Sequence, residues 1–158
     1  MGSLAFWRAR VEFCFLSAAF YERYGDCEEI LVKQDRPYTV LIVEAVGKKF
    51  AIPFRSHINP NNRNCFITDM ESNAGLDFQK TVVIADERYI DTARRPGIRN
   101  IDYRAIHFKD HEIKRRFESF LKFYIREYRR HKVQPGLKPN ARIQFCALQY
   151  FAKELGLE

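Results

Sequence analysis

Between Thr39 and Phe54 the chain alternates and then gathers into two apolar runs, Val40-Leu41-Ile42-Val43 and Phe50-Ala51-Ile52-Pro53-Phe54, with Gly47-Lys48 between them. That layout predicts a β-hairpin. The second run empties into Arg55-Ser56-His57 and a stretch of turn formers that holds Asn59, Pro60, Asn61 and Asn62. A cation, a hydroxyl and an imidazole are thereby placed together in a loop at a strand end, a common location for active-site groups.

On either side of the hairpin the pattern changes period. Val11 to Leu16 reads as a first strand, and Ser17 can cap a short helix from Ala18 to Tyr24 that stops at Gly25. Cys65 to Thr68 predicts a short strand followed by a polar loop from Asp69 to Gly75. Phe78 to Ala85, with Val82-Val83-Ile84 at its centre, predicts another strand. Asp86 to Asn100 is polar, with an exposed basic turn at Arg94-Arg95-Pro96-Gly97. Ile101 to Phe108 alternates loosely, as a final strand or a short irregular piece would.

The clearest helix runs from Asp110, placed to cap it, to Lys132. Ile113, Phe117, Phe120, Leu121, Tyr124 and Tyr128 recur at three- and four-residue steps and form one apolar stripe along roughly 35 Å of helix at about 1.5 Å per residue. Pro135-Gly136 and Pro139 force a break, after which Asn140 can cap a last, well-buried helix to Leu155. No repeat or long linker divides the 158 residues, so a single domain is expected.

Charge adds a direction. The chain carries 27 Lys and Arg against 20 Asp and Glu, a formal +7, which favours an anionic partner such as nucleic acid. The long helix holds eight of those cations and four carboxylates, so more than half of the excess lies on it. Its polar side is either an RNA-facing surface or a solvated face opposite the core stripe.

Cys14, Cys27, Cys65 and Cys146 are scattered, with no C-x-x-C pair, as buried reduced thiols are. No stretch reaches the about 18 apolar residues of a membrane span, and no signal segment opens the chain, so a cytoplasmic protein without a membrane partner is expected. Gly-rich phosphate loops, the G-x-S-x-G elbow and H-E-x-x-H are absent from the sequence. His107 and His111 are four apart, but Asp110 as a helix cap would separate them; no metal and no cofactor are expected.

Arg55-Ser56-His57 suits a metal-free reaction on RNA. Cleavage there requires a deprotonated ribose 2′-OH, stabilisation of the charged phosphorane and a proton for the leaving 5′-oxygen. A cation, a hydroxyl and an imidazole supply those roles and leave a 2′,3′-cyclic phosphate and a 5′-OH.

The run RPYTVLIVEAVGKKFAIPFRSHI, followed by GLDFQKTVVI and the long basic helix, resembles the TenpN toxins of type III toxin-antitoxin systems, relatives of ToxN. The resemblance extends from about Phe13 to the long helix. It implies an α+β fold: a compact, strongly bent antiparallel sheet or barrel like that of MazF, Kid and CcdB, decorated by helices. It also implies a metal-independent, sequence-specific endoribonuclease that cuts cellular or phage RNA at adenine-rich sites. Such a toxin processes a repeat-encoded pseudoknot antitoxin RNA and is inhibited by it in a closed protein–RNA assembly.

ToxN-like chains end the corresponding strand in Pro-Leu-Thr/Ser-Ser-Pro-Lys, with a critical serine and an assisting lysine. The serine falls on Ser56, the residue before it on Arg55, and the lysine on Ile58, so the cation must come from Arg55, Lys80 or Arg36. Arg36 stands where ToxN-like chains have a lysine. Ser56 is then expected to position the 2′-OH or phosphate, Arg55 and Lys80 to neutralise transition-state charge, and His57 to act as acid or base.

The RNA-contact candidates are Lys48, Lys49, Asn59, Asn61, Arg63, Arg94, Arg95, Lys122, Arg126, Arg129 and Arg130. Two rival functions share this fold class: a non-catalytic RNA-binding module, and a protein-binding toxin directed at gyrase.

Overall fold

The computed structural model describes residues 12–32, 38–140 and 142–158. Among them lie seven strands, three α-helices and several 3₁₀ turns, an α+β fold. The strands are β1 (Glu12–Leu16), β2 (Thr39–Ala45), β3 (Lys48–Arg55), β4 (Cys65–Asp69), β5 (Ala74–Asp77), β6 (Val82–Ile84) and β7 (Ile90–Asp91). The helices are α1 (Ala18–Tyr24), α2 (Asn100–Ile106) and α3 (Asp110–Val133).

The predicted hairpin is the centre of the sheet. β2 and β3 pair from Val40↔Pro53 to Ala45↔Lys48, and Val46 and Gly47 take φ of 47° and 74° at the turn. Two positive φ values in a two-residue turn match the twist of the flanking strands. Phe50, Ala51 and Ile52 are fully buried.

All pairings are antiparallel, in the order β4-β5-β3-β2-β1-β7. The outer edge of β3 is divided between two partners: Lys49 to Ala51 face β6, and Phe54 and Arg55 face β5. The sheet is not closed into a barrel, because β4 and β7 end the order without meeting. α3 lays its predicted stripe against this sheet, with the Phe117 ring 5.0 Å from Phe50 and 5.8 Å from Phe78. Ser17 accepts from the Phe20 N–H and caps α1 as expected.

Five expectations fail for physical reasons. Phe78 to Ala85 is not one strand: the Asp77 carboxylate accepts the Gln79 N–H and turns Phe78–Lys80 into a 3₁₀ turn, leaving only Val82–Ile84 extended. The polar loop expected to run to Gly75 stops earlier, because Ala74–Asp77 is a strand; a Cβ at Gly75 would stand 2.1 Å from the Phe66 carbonyl oxygen, so glycine is what lets β5 approach β4.

Asn100–Ile106 is a helix because Asp102 and Ile106, four apart, face inward together, with Asp102 bonded to Arg99 and Thr68. Residue 110 does not cap α3 either; Lys109 holds that position and Asp110 lies in the first turn.

The last helix is replaced by turns and a 3₁₀ segment, Ala147–Phe151. Two carbonyls that an α-helix would use internally are taken by side chains from elsewhere. Gln79 Nε2 donates to Arg142 O and Lys80 Nζ to Phe145 O, both at 2.8 Å. Cys146, Ala147, Leu148 and Phe151 are nonetheless completely buried, as predicted for this region. Among the described residues no helix is long and apolar enough to cross a membrane.

Candidate functional site

The loop after β3 is anchored on both sides. Arg55 donates through Nη1 to Asp77 Oδ2 at 2.8 Å, and Asp77 is fully buried while the Arg55 side chain is 32% exposed. The other carboxylate oxygen accepts from Asn62 Nδ2 at 3.2 Å and from the Gln79 N–H at 3.0 Å. A buried carboxylate with three donors is well satisfied and fixes its partners. The guanidinium is therefore pre-positioned, and among the described residues it donates to Asp77 alone, which leaves N–H groups for a ligand.

Ser56 and His57 follow directly and are both exposed. His57 has a φ of 54°, in the left-handed region. Its N–H donates to Ser72 O at 3.1 Å, and the Ile58 N–H donates to Asn73 O at 3.0 Å. Asn73 Nδ2 returns a bond to Ile58 O. Ile58, where the resemblance would put a lysine, is buried to 1% and serves as the anchor of the loop.

Lys80 is employed elsewhere. Its ammonium lies 2.5 Å from Glu29 Oε2 and 2.8 Å from Phe145 O, and the Lys80 and Glu29 side chains are only 13% and 15% exposed. It joins the turn after α1 to the C-terminal segment, and the loop of Ser56 supplies none of these partners. Arg36 lies outside the described residues.

Beside the Asn62–Asp77 bond opens a groove of about 600 Å³. One wall is Arg63 and Asn64, the floor includes Phe78, and the other wall is the flank of α3 with Arg116, Ser119, Phe120, Lys122, Phe123 and Arg126; Arg142 closes one side. Among the described residues five cations face it and no carboxylate lines it. Arg116 is held by Cys65 O at 2.9 Å, and the Arg142 guanidinium carbon lies 4.3 Å from the centre of the Phe123 ring.

Of the expected RNA contacts, Arg63, Lys122 and Arg126 line this groove. The others are dispersed. Lys49 pairs with Glu87, Arg94 with Asp91 and Arg130 with Glu127, each at 2.8–2.9 Å. Asn59, Asn61, Arg95 and Arg129 are exposed and Lys48 half-buried.

Arg116, Arg142, Asn64 and Asp77 were missed. Arg116, Ser119, Phe123 and Arg126 follow one another at three- and four-residue steps beside the apolar stripe, a signal the sequence did carry. Arg142 and Asp77 had none.

Cysteine chemistry is set by burial. Cys14, Cys65 and Cys146 are buried and free, and desolvation pushes the Cys14 thiol up to about 11 and that of Cys146 to about 12. Both are protonated at neutral pH and are poor nucleophiles. Among the described residues no three His, Cys, Asp or Glu side chains gather into a possible metal site. No known protein family, curated protein or solved structure matches the chain.

Proposed function

We propose that the chain is a metal-independent endoribonuclease, the toxin of a type III toxin-antitoxin system, working on cytoplasmic RNA. The observation that carries this reading is an exposed Ser56-His57 pair directly after a guanidinium fixed on a buried carboxylate, next to a groove lined by cations. His57 takes the proton of the ribose 2′-OH as the 2′-oxygen forms its bond to phosphorus; the bond to the 5′-oxygen breaks and that oxygen takes a proton from water at the exposed loop, and His57 returns its proton to solvent. Arg55 donates the N–H groups that Asp77 leaves unused to the phosphorane oxygens, and Ser56 holds a phosphate oxygen or the 2′-OH. Asp77 positions Arg55. Lys80 takes no part, since its charge is engaged by Glu29.

The antitoxin is a pseudoknot RNA whose phosphates lie against the groove and the Arg94-Arg95 turn, in a closed protein–RNA assembly. The open sheet is read as a form of the bent MazF and Kid sheet. The non-catalytic RNA-binding module remains the second reading, favoured by the withdrawal of Lys80, which leaves Arg55 as the one candidate cation at the loop among the described residues.

The test is incubation with mixed-sequence RNA in EDTA and mapping of fragment ends. Discrete cuts ending in 2′,3′-cyclic phosphate are expected, with Ser56→Ala and His57→Ala each slowing cleavage on the order of a hundredfold. Full activity of Ser56→Ala would contradict the scheme, and intact RNA that still shifts on a gel would favour the binding module.

A further inference from the structure

The groove differs from a general basic patch in one respect: it holds an arginine set over an aromatic ring and tied from two sides. Arg142 lies over the Phe123 ring and donates through Nη2 to Asn64 Oδ1 at 2.8 Å, while its own carbonyl accepts from Gln79 Nε2. Asn64 is 5% exposed and Phe123 half-buried. The guanidinium therefore has a ring on one side and an amide bonded to it, and Arg142 is exposed and lines the groove.

Asn64 spends Oδ1 on Arg142, and its Nδ2 has no protein partner among the described residues. Arg126 also stands over the same ring, at 5.5 Å. Around this pair stand Arg63, Arg116 and Lys122, and among the described residues no carboxylate.

Cations alone would suit any polyanion. A backed guanidinium plane suits a flat π-system, because bases of single-stranded RNA stack on aromatic rings and on arginine planes. Double-stranded RNA hides its base faces and is read across about 16 base pairs, a span far beyond a groove of about 600 Å³.

We infer that this groove seats one unpaired nucleotide of a single-stranded RNA. Its base stacks on the outer face of Arg142, backed by Phe123; Asn64 Nδ2 donates to the base edge; and the flanking phosphates bind Arg63, Arg116 and Lys122. The inference rests on the reading of the chain as an RNA-acting protein and names the form of RNA it takes.

The experiment uses the full-length protein and an uncleavable 2′-O-methyl single strand of about 12 nucleotides, within the range of single-strand site sizes. The same backbone with abasic central positions and the strand annealed to its complement serve as comparisons, and binding is read by fluorescence anisotropy. The base-bearing strand is expected to bind about tenfold tighter than the abasic one, as loss of one stacked base predicts, and the duplex no tighter than the abasic strand.

Arg142→Lys keeps the charge and removes the plane; Phe123→Leu keeps apolar bulk and removes the ring face. Each is expected to bring the base-bearing and abasic strands to within about twofold of each other. Equal binding of base-bearing and abasic strands by the wild type, preference for the duplex, or retained discrimination in Arg142→Lys would overturn the seat. Should Phe123→Leu fail to fold, Arg142→Lys decides alone.

Cleavage of unmodified RNA in EDTA is scored separately. Base discrimination without cleavage sinks the ribonuclease and leaves the seat standing. Cleavage without discrimination does the reverse.

Discussion

The cations of the groove and the cation of Lys80 look alike along the chain, yet they live in opposite environments. Arg63, Arg116, Lys122, Arg126 and Arg142 converge with no carboxylate among the described residues that line their groove. Lys80 is closed in by Glu29, delivered from 51 residues away, and by the Phe145 carbonyl. The difference is one of partners and dehydration. A cation left facing water retains its field for a ligand, whereas one paired inside the protein has its charge cancelled and becomes part of the scaffold. Net charge counts both kinds equally, and so +7 says little about which side chains meet an anion.

The sharpest way to break this contrast is to remove Lys80. Lys80→Met strands the Glu29 carboxylate at 15% exposure and should destabilise the fold by about 3 kcal/mol in urea unfolding. The cleavage rate per folded molecule should stay within about twofold, because an ion pair that only braces the scaffold contributes nothing to the reacting atoms. Adding Glu29→Leu should recover most of the loss, since an apolar pair of similar volume avoids the uncompensated charge. A Lys80→Met protein that is as stable as the parent but cleaves poorly would return Lys80 to the catalytic site and erase the distinction.

Next in size is the groove itself. Lys122 and Arg126 are exposed, and neither has a carboxylate partner among the described residues. Lys122→Glu with Arg126→Glu should weaken binding of single-stranded RNA on the order of a hundredfold at about 0.1 M salt and lower the slope of log affinity against log salt by about two. Urea unfolding should move by less than about 0.5 kcal/mol, as expected for exposed positions. An unchanged salt slope would show that the groove cations meet no phosphate.

How far the sequence foretold all this depends on whether the deciding contacts are local. The hairpin and α3 were legible because their signals are periodic: a two-residue turn between apolar runs, and a stripe at three- and four-residue steps. The Ser56 loop was legible for the same reason, as a strand end rich in turn formers. The failures share an opposite cause.

Asp77 carries no local signal of burial, yet it is the buried post that holds Arg55, Asn62 and the 3₁₀ turn. Residues 140 to 155 have the caps and apolar content of a helix, yet Gln79 and Lys80 take their carbonyls. Asp102 lies in a stretch expected as a strand or a short irregular piece, because its burial depends on Thr68, 34 residues earlier. Arg142 enters the groove only after the chain has folded back on Asn64, 78 residues earlier. Long-range polar contacts leave no period behind them.

The smallest effect belongs to Lys49, which separates the two kinds of cation once more. It sits near the hairpin turn and pairs with Glu87 at 2.8 Å, as Lys80 pairs with Glu29, but these side chains are 37% and 73% exposed. Pairing in water contributes little, because solvent screens the attraction and both long side chains lose freedom in making it. The Glu87 hydrogen bond raises the Lys49 pKa, so the ammonium is charged throughout the neutral range, and the absence of an effect cannot come from deprotonation. Lys49→Ala should therefore change unfolding free energy by less than about 0.5 kcal/mol. With its charge partly answered by Glu87 and its place outside the groove, it should also leave single-stranded RNA affinity within about twofold. Anisotropy titrations of Lys49→Ala beside the Lys122→Glu, Arg126→Glu protein supply the check: a tenfold loss from Lys49→Ala would mean that RNA displaces Glu87 and that the anion path extends across the hairpin, whereas an unchanged affinity confines it to the cations that no carboxylate reaches.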